Sequence, residues 1–438
     1  MAQNKERLGL ALSGGGYRAA AYHIGTLRAL HFLGILDKVD VISSVSGGSI
    51  ASAYYLLNKD DFRSFKRSFN KKLQKGVMHL SFVNAGILVA AIVAVGLLFG
   101  WGWAWLALPL FWFLNYYILP LSVWISMQYD WHFFHHKTLS DLPDKPTVAI
   151  NACDVREACE FRFSKHRMWG NPYRDWEKNQ DYFTSKDFPL SKAVMASSCV
   201  PFAFTPIRIP RRFRRLQGVK QPLLIDGGVF DNQGVHNLME RGTRSLFTKY
   251  CIVSNAGISS MADFKHLYNI PQMLLATDEI LWQRVKDMQA RQLKIETDEL
   301  DNRGVYVNLL TDPSDEIVEK FVMDIALGLV PEETWRLHGI AEDDVKALRD
   351  FIHAQYRLQP EISSRLIEQV KRNIQWNSLE HLRPTEAEIK VARSVKTNLT
   401  GLSDKQLYCL AKFSEWMTIV QVRLYLPNLL PPFGNNEI

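Results

Sequence analysis

Three apolar runs in this chain stop on glycines, and that repetition limits the folds open to it. Leu8-Gly9-Leu10-Ala11-Leu12 leads into Ser13-Gly14-Gly15-Gly16, Val41-Ile42-Ser43-Ser44-Val45 into Ser46-Gly47-Gly48, and Leu223-Leu224-Ile225 into Asp226-Gly227-Gly228. Short apolar runs closed by glycine read as strands ending in tight turns. After the first two runs the pattern turns helical (Arg18 to Leu33, then beyond Gly48), so residues 8–58 read as β-α-β-α. Such alternation calls for a parallel sheet with helices on its faces. Ser46 then sits at the tip of a strand-to-helix turn, its hydroxyl projecting past the sheet edge and the next backbone N–H free to face an oxyanion. A nucleophile at one strand end and an acid at another point to acyl transfer. A serine before two glycines also serves as a plain helix N-cap, and Asp226 as a plain turn residue.

A second feature sets the surroundings. From Ser81 to Gln128 there is no charged side chain. Phe82 to Phe99 is rich in Ala, Val, Ile and Leu; Gly100-Trp101-Gly102-Trp103 interrupts; Ala104 to Met127 continues with aromatic residues and two prolines, Pro109 and Pro120. A spanning helix takes about 20 apolar residues, so the expectation is a membrane hairpin turning at the Gly-Trp-Gly. Ser46 precedes this block and Asp226 follows it, so the number of crossings must be even for both to share a site. Arg63, Lys66, Arg67, Lys71, Lys72 and Lys75 lie directly before it and place that end on the cytoplasmic side. Trp131, His132, Phe133, Phe134 and His135 read as an interfacial belt at the exit. A hairpin that dips without crossing, or one buried in a soluble core, remains an alternative.

Composition narrows the rest. Hydrophobic residues at 47% with 22% charged fit a folded protein rather than a disordered one. The net charge of +7 suits an anionic membrane as well as nucleic acid and does not choose between them. Five cysteines, odd in number and without CxxC spacing, argue against a disulfide framework or a zinc site. No apolar leader precedes the first strand, so the cytosol is the default compartment. His23 and His236 lie near the motifs, but none of the histidines sits at an obvious strand end.

Further strands are expected at Pro146–Ala152, Glu160–Ser164 (antiparallel to the former) and Tyr250–Ser254, with a short helix at Ser191–Ser198. Beyond about Met261 helical spacing dominates: 270–293, 315–329, 342–357, 361–374 and 404–426, with Val305–Leu309 a lone strand among them. The domain reading is a catalytic core of 1–80 and 129–260, the inserted block 81–128, a helical region 261–390 of unassigned role, and 391–438 as a C-terminal helix and tail packing on the core.

Taken together these motifs resemble the patatin-like phospholipases. Leu12-Ser13-Gly14-Gly15-Gly16-Tyr17-Arg18-Ala19-Ala20 is similar to the family's Gly-rich oxyanion loop, and Ser44-Val45-Ser46-Gly47-Gly48 to its nucleophile elbow. Ala196-Ser197-Ser198-Cys199-Val200-Pro201-Phe202 resembles the segment before the acid, Asp226-Gly227-Gly228 the acid motif, and Val395 through Asp404 a stretch near the end of bacterial members. Ser44 and Ala19 stand where the family has glycine, each adding a Cβ near tight backbone. The resemblance implies a three-layer α/β/α sandwich with a mostly parallel sheet, a Ser46–Asp226 dyad without histidine, and an oxyanion hole from Gly14, Gly15, Gly16 and Gly47. Arg18, Gly48, Gly227 and Gly228 are implied as supporting residues. It implies ester hydrolysis of glycerophospholipids at a membrane, with no metal, no cofactor and no nucleic acid. Arg208, Arg211, Arg212, Arg214, Arg215 and Lys220, before the acid, are candidates for anionic lipid headgroups. Two other readings are a catalytically silent membrane scaffold and a ligand-activated lipase effector.

Overall fold

The computed structural model describes residues 6–77, 120–258 and 303–431 apart from 176, 179, 202, 216–218, 241–245 and 356–358, together with scattered positions of 78–119 and 259–302. The chain opens with β1 (Leu8–Leu12), α1 (Gly16–Phe32), β2 (Val39–Val45), α2 (Gly47–Leu57) and α3 (Phe62–Lys75). Then come β3 (Thr147–Asp154), β4 (Cys159–Phe163), β5 (Met168–Trp169), the small pair β6 (Arg174–Asp175) and β7 (Gln180–Asp181), β8 (Ile207–Arg208), β9 (Leu223–Asp226), β10 (Tyr250–Asn255) and β11 (Arg303–Asn308).

Nine strands form one mixed sheet among the described residues, in the order β11-β10-β1-β2-β3-β4-β5, with β9 alongside β3 and β8 outside it. The run from β11 to β3 is parallel, as β-α-β alternation requires. The other four strands are antiparallel, so the mostly parallel expectation holds for only part of the sheet. The strand expected to stand alone at 305–309 is an edge strand of this sheet, with Val305 opposite Ile252 and Val307 opposite Ser254.

Successive side chains of a strand face opposite ways, and both faces here are apolar. Leu8, Leu10, Leu12, Ile42 and Ile252 join the large core with α1 and the helix Asp404–Tyr425, while Ala11, Val41, Cys251 and Val253 meet Val235, Leu238 and Met239 on the other side. Four expected helices appear as Glu316–Ala326, Glu342–Gln355, Pro360–Asn373 and Asp404–Tyr425; of the one expected over 270–293 only scattered positions are described, and those, 283–289 among them, are helical.

Much of the block expected over 81–128 as a hairpin lies outside the described residues, and among those described no helix is long and apolar enough to cross a membrane. Its last part corrects the expectation: Leu121–Tyr129 is a helix of the folded core, with Ile125 and Ser126 buried and the Ser122 hydroxyl bonded to that of Thr205 at 2.8 Å. The flanks of the block are described, and they meet. His132 donates from Nε2 to the Lys72 carbonyl at 2.8 Å, and the Lys72 ammonium returns a bond to the His132 carbonyl. Phe133 and Phe134, expected in an interfacial belt, are instead buried in the core, where Phe133 packs edge-on against Phe69 at 5.9 Å and Tyr54 at 6.1 Å. The two flanks of the block therefore lie side by side.

Candidate active site

Strand register alone brings Ser46 and Asp226 together. β4 occupies one edge of β3 over 150–154, which leaves the opposite edge to both β2 and β9. β2 lies along 147–151 and ends with Val45 opposite Asn151; β9 runs the other way along 152–154 and ends with Asp226 opposite Ala152. The two strands meet end to end, with Ser46 one residue past Val45.

Ser46 turns sharply there, at φ 50° and ψ −118°. A serine gains nothing from that backbone, so neighbouring bonds must hold it. Its N–H donates to Ser197 Oγ at 2.9 Å, and its carbonyl accepts from the N–H groups of Ser49 (2.9 Å) and Ile50 (3.2 Å). Beneath the turn, Ser44 is no passive substitute for glycine: its hydroxyl accepts from Ser52 Oγ (2.8 Å) and Ser49 Oγ (3.2 Å) and donates to the Ala149 carbonyl (3.3 Å). Ser49 in turn bonds Ser197 at 2.9 Å, so a line of hydroxyls ties the elbow to the helix Leu190–Ser197.

Asp226 is buried at 3% exposure. Burial pushes its carboxyl up to about 7, while hydrogen bonds from the Gly228 N–H (2.7 Å) and the Ser46 hydroxyl pull the other way. Among the described residues neither Ser46 nor Asp226 bonds a histidine. His23 donates from Nε2 to the Ser13 carbonyl (2.9 Å) and takes the Ser254 hydroxyl at Nδ1 (2.8 Å), and burial brings it down to about 4, so it is neutral. His236 sits edge-on to Phe230 and near Glu240. Among the described residues no group of three or more His, Cys, Asp or Glu side chains is arranged to hold a metal ion.

The glycine loop lies over the elbow. Gly15 (φ 136°) and Gly16 (φ 58°) use backbone that side-chain-bearing residues avoid. The N–H groups of Gly15, Gly16 and Gly47 donate to no described protein atom. Gly14 corrects the expected set: its N–H is taken by the Asn232 carbonyl at 2.9 Å, so it has no hydrogen left for an oxyanion. Its role is space, because a Cβ there would lie 2.2 Å from Asn232 Oδ1 and 3.2 Å from Ser46 Cβ. Gly48 and Gly227 are equally hemmed in, by the carbonyls of Leu12 and Asn151, and Gly228 by Asn232. Arg18 is buried and anchors the loop, donating to the carbonyls of Ala256 (3.0 Å) and Val395 (3.1 Å). The Tyr17 N–H donates to the Asn398 carbonyl at 2.9 Å. Sequence reasoning missed Ser197, Asn232 and Asn398 as individuals. Each lay in or beside a motif, but which atom it offers depends on long-range packing.

Such an arrangement suits proton removal from a serine hydroxyl and stabilisation of charge on an adjacent oxygen. The described structure can be set beside known proteins. Human GIVD cytosolic phospholipase A2 superposes with a TM-score of 0.49 at 12% identity, covering 96% of this chain and 60% of its own. VipD from Legionella pneumophila gives 0.29 at 12% identity, with 94% and 92% covered. The chain thus spans about 60% of the length of the human enzyme. No curated protein matches the sequence. The patatin-like phospholipase family matches residues 10–239, from β1 through the elbow and β9 to Met239. With more than half of the 438 residues inside that match, the chain belongs to the patatin-like phospholipase family.

Proposed function

We propose that this protein is a membrane-associated serine acyl hydrolase of the phospholipase A or lysophospholipase type, cleaving glycerophospholipid esters through a Ser46–Asp226 dyad. The observation that carries this reading is the end-to-end meeting of Ser46 with a buried carboxyl whose pKa lies near 7. A base is most effective when its pKa is close to the working pH. Asp226 accepts the Ser46 proton as Oγ attacks the ester carbonyl, and the oxyanion rests on the N–H groups of Gly15, Gly16 and Gly47. The lysolipid alcohol leaves with the proton from Asp226. A water then gives its proton to Asp226 and attacks the acyl-enzyme, releasing the fatty acid and restoring Ser46.

In this reading the core is a three-layer α/β/α sandwich formed by 1–80 and 129–260. The part of the uncharged block before Leu121 forms a membrane hairpin that holds the mouth at the bilayer with the catalytic part on the cytoplasmic side. The meeting of the block's two flanks supports this, since a hairpin must start and finish on one side. β9 runs antiparallel to β3, so Arg208 at the end of β8 and the following stretch with Arg211, Arg212, Arg214, Arg215 and Lys220 lie toward and beyond the carboxyl end of β3, where headgroups would approach.

The test is fluorophosphonate labelling of the purified full chain, with the labelled peptide identified by mass spectrometry, beside fatty-acid release from mixed phospholipid vesicles. Labelling at Ser46 with release of fatty acid is expected. A protein that neither labels nor releases would sink the reading and leave a silent scaffold.

A further inference from the structure

Helix α3 carries Arg63, Lys66, Arg67, Lys71, Lys72 and Lys75 and no acidic residue, so most of the chain's net charge of +7 is matched by one helix. Phe65, Phe69 and Leu73 form its buried side, where Phe69 stacks on Tyr54. Arg63, Arg67, Lys71 and Lys75 recur every fourth position and are all exposed, forming one outward stripe. Like charges at that spacing destabilise a helix by a few tenths of a kcal/mol per pair, and none of the four forms an ion pair among the described residues. A solvated helix ordinarily relieves such repulsion with interspersed carboxylates. This one keeps the stripe unneutralised.

Its position gives the stripe a partner. The uncharged segment begins a few residues after α3 ends, and its other flank returns beside Lys72. On that returning flank Trp131 is 75% exposed, with Met127 also exposed. A cationic helix whose Lys72 meets His132, next in the chain to an exposed tryptophan, matches the composition of a bilayer interface, where cations meet anionic headgroups and amphipathic rings sit at their level. The same end of α3 also adjoins the active site. Val77 N–H donates to the Leu399 carbonyl (3.1 Å), Leu402 N–H to the Leu73 carbonyl (3.0 Å), and the neighbouring Asn398 carbonyl receives the Tyr17 N–H of the glycine loop.

We propose that the Arg63–Arg67–Lys71–Lys75 face of α3 is a docking surface for a bilayer bearing anionic headgroups. The proposal rests on the lipid-hydrolase reading for its purpose, but its test does not depend on catalysis.

The full chain is floated with vesicles of pure phosphatidylcholine or of equimolar phosphatidylcholine and phosphatidylglycerol, and half-saturating lipid is measured. Three proteins are compared: wild type, an α3 variant (Arg63→Gln, Arg67→Gln, Lys71→Gln) and a control variant (Arg372→Gln, Lys390→Gln, Lys405→Gln). The α3 variant is expected to need about a hundred-fold more anionic lipid, from roughly a several-fold loss per basic residue. Wild type and control should bind alike, high salt should erase the difference, and fluorophosphonate labelling should be equal in all three. Equal losses in both variants would mean diffuse net-charge attraction and overturn the assignment. So would a wild type indifferent to phosphatidylglycerol, or one that binds duplex DNA with no preference for anionic vesicles. Failure of labelling with the lipid difference intact would refute the hydrolase and leave the docking surface standing.

Discussion

Replacing Asp226 by asparagine is expected to slow acyl release by about a thousand- to ten-thousand-fold and, above pH 7, to make the fold harder to unfold. Both effects come from one cause: above pH 7 the carboxyl carries its charge in a buried site, where bulk water does little to solvate it. Its pKa is raised from the ordinary 3.8 to about 7, chiefly by burial. Between those values the folded protein holds a proton that the unfolded chain has already lost. Stability therefore falls as pH rises across that window, and the penalty is complete above about 7. Its size is on the order of 4 kcal/mol. Asparagine is neutral at every pH, and its oxygen can still take the Gly228 N–H, so the variant escapes the penalty while losing the base. Thermal unfolding should show the variant ahead of wild type at pH 8, with the gap closing toward pH 4. Wild-type kcat/KM should climb with pH through about 7 as Asp226 ionises. A variant less stable than wild type at pH 8 would mean that the carboxylate is stabilised by its surroundings, contrary to this account.

That carboxyl was legible in the sequence as a residue, though not as a neighbour of Ser46. Local signals sufficed for β1, the glycine loop, β2 and the elbow, since apolar alternation and glycine punctuation act within a few residues. They sufficed also for the helix Asp404–Tyr425, whose Ser403 cap accepts the Gln406 N–H and whose Gln406 reaches back. Periodicity is silent on which strands pair. Nothing in Leu223–Ile225 says that β9 runs antiparallel and shares an edge of β3 with β2, yet that register is what brings Ser46 and Asp226 together. Nor does Val305–Leu309 announce that it extends the sheet beyond β10. Gly14 shows the limit at atomic scale: three consecutive glycines look equivalent as donors, and only the fold spends one N–H on Asn232. Ser44 shows the converse, a departure from glycine that the structure employs as a hydroxyl under the elbow.

Gly47→Ala should be the most damaging single methyl group in the site. The elbow and the glycine loop touch backbone to backbone there, and a Cβ on residue 47 would lie 2.0 Å from the Gly16 carbonyl oxygen and 2.9–3.0 Å from the same residue's carbon and nitrogen. No rotamer relieves a clash with main chain, so one loop must move. Gly16 is itself clamped from behind, with the Asn398 carbonyl against it and the Tyr17 N–H bonded to that carbonyl, so retreat is blocked on that side too. Displacement would carry the Gly15 and Gly16 N–H groups away from the Ser46 hydroxyl. Loss of one well-placed oxyanion donor lowers rates by about a hundred- to a thousand-fold, and the variant should lose at least that in fluorophosphonate labelling. Stability should fall by roughly 1–3 kcal/mol, as for other overpacked positions. Gly34→Ala is the proper comparison: it too sits at positive φ (+66°), but nothing lies within 4 Å of its added Cβ. That change should cost roughly 1 kcal/mol from backbone strain alone and leave labelling untouched. If Gly47→Ala labels at the wild-type rate, the glycine loop does not form the oxyanion site, and the stabilising N–H groups must be sought elsewhere.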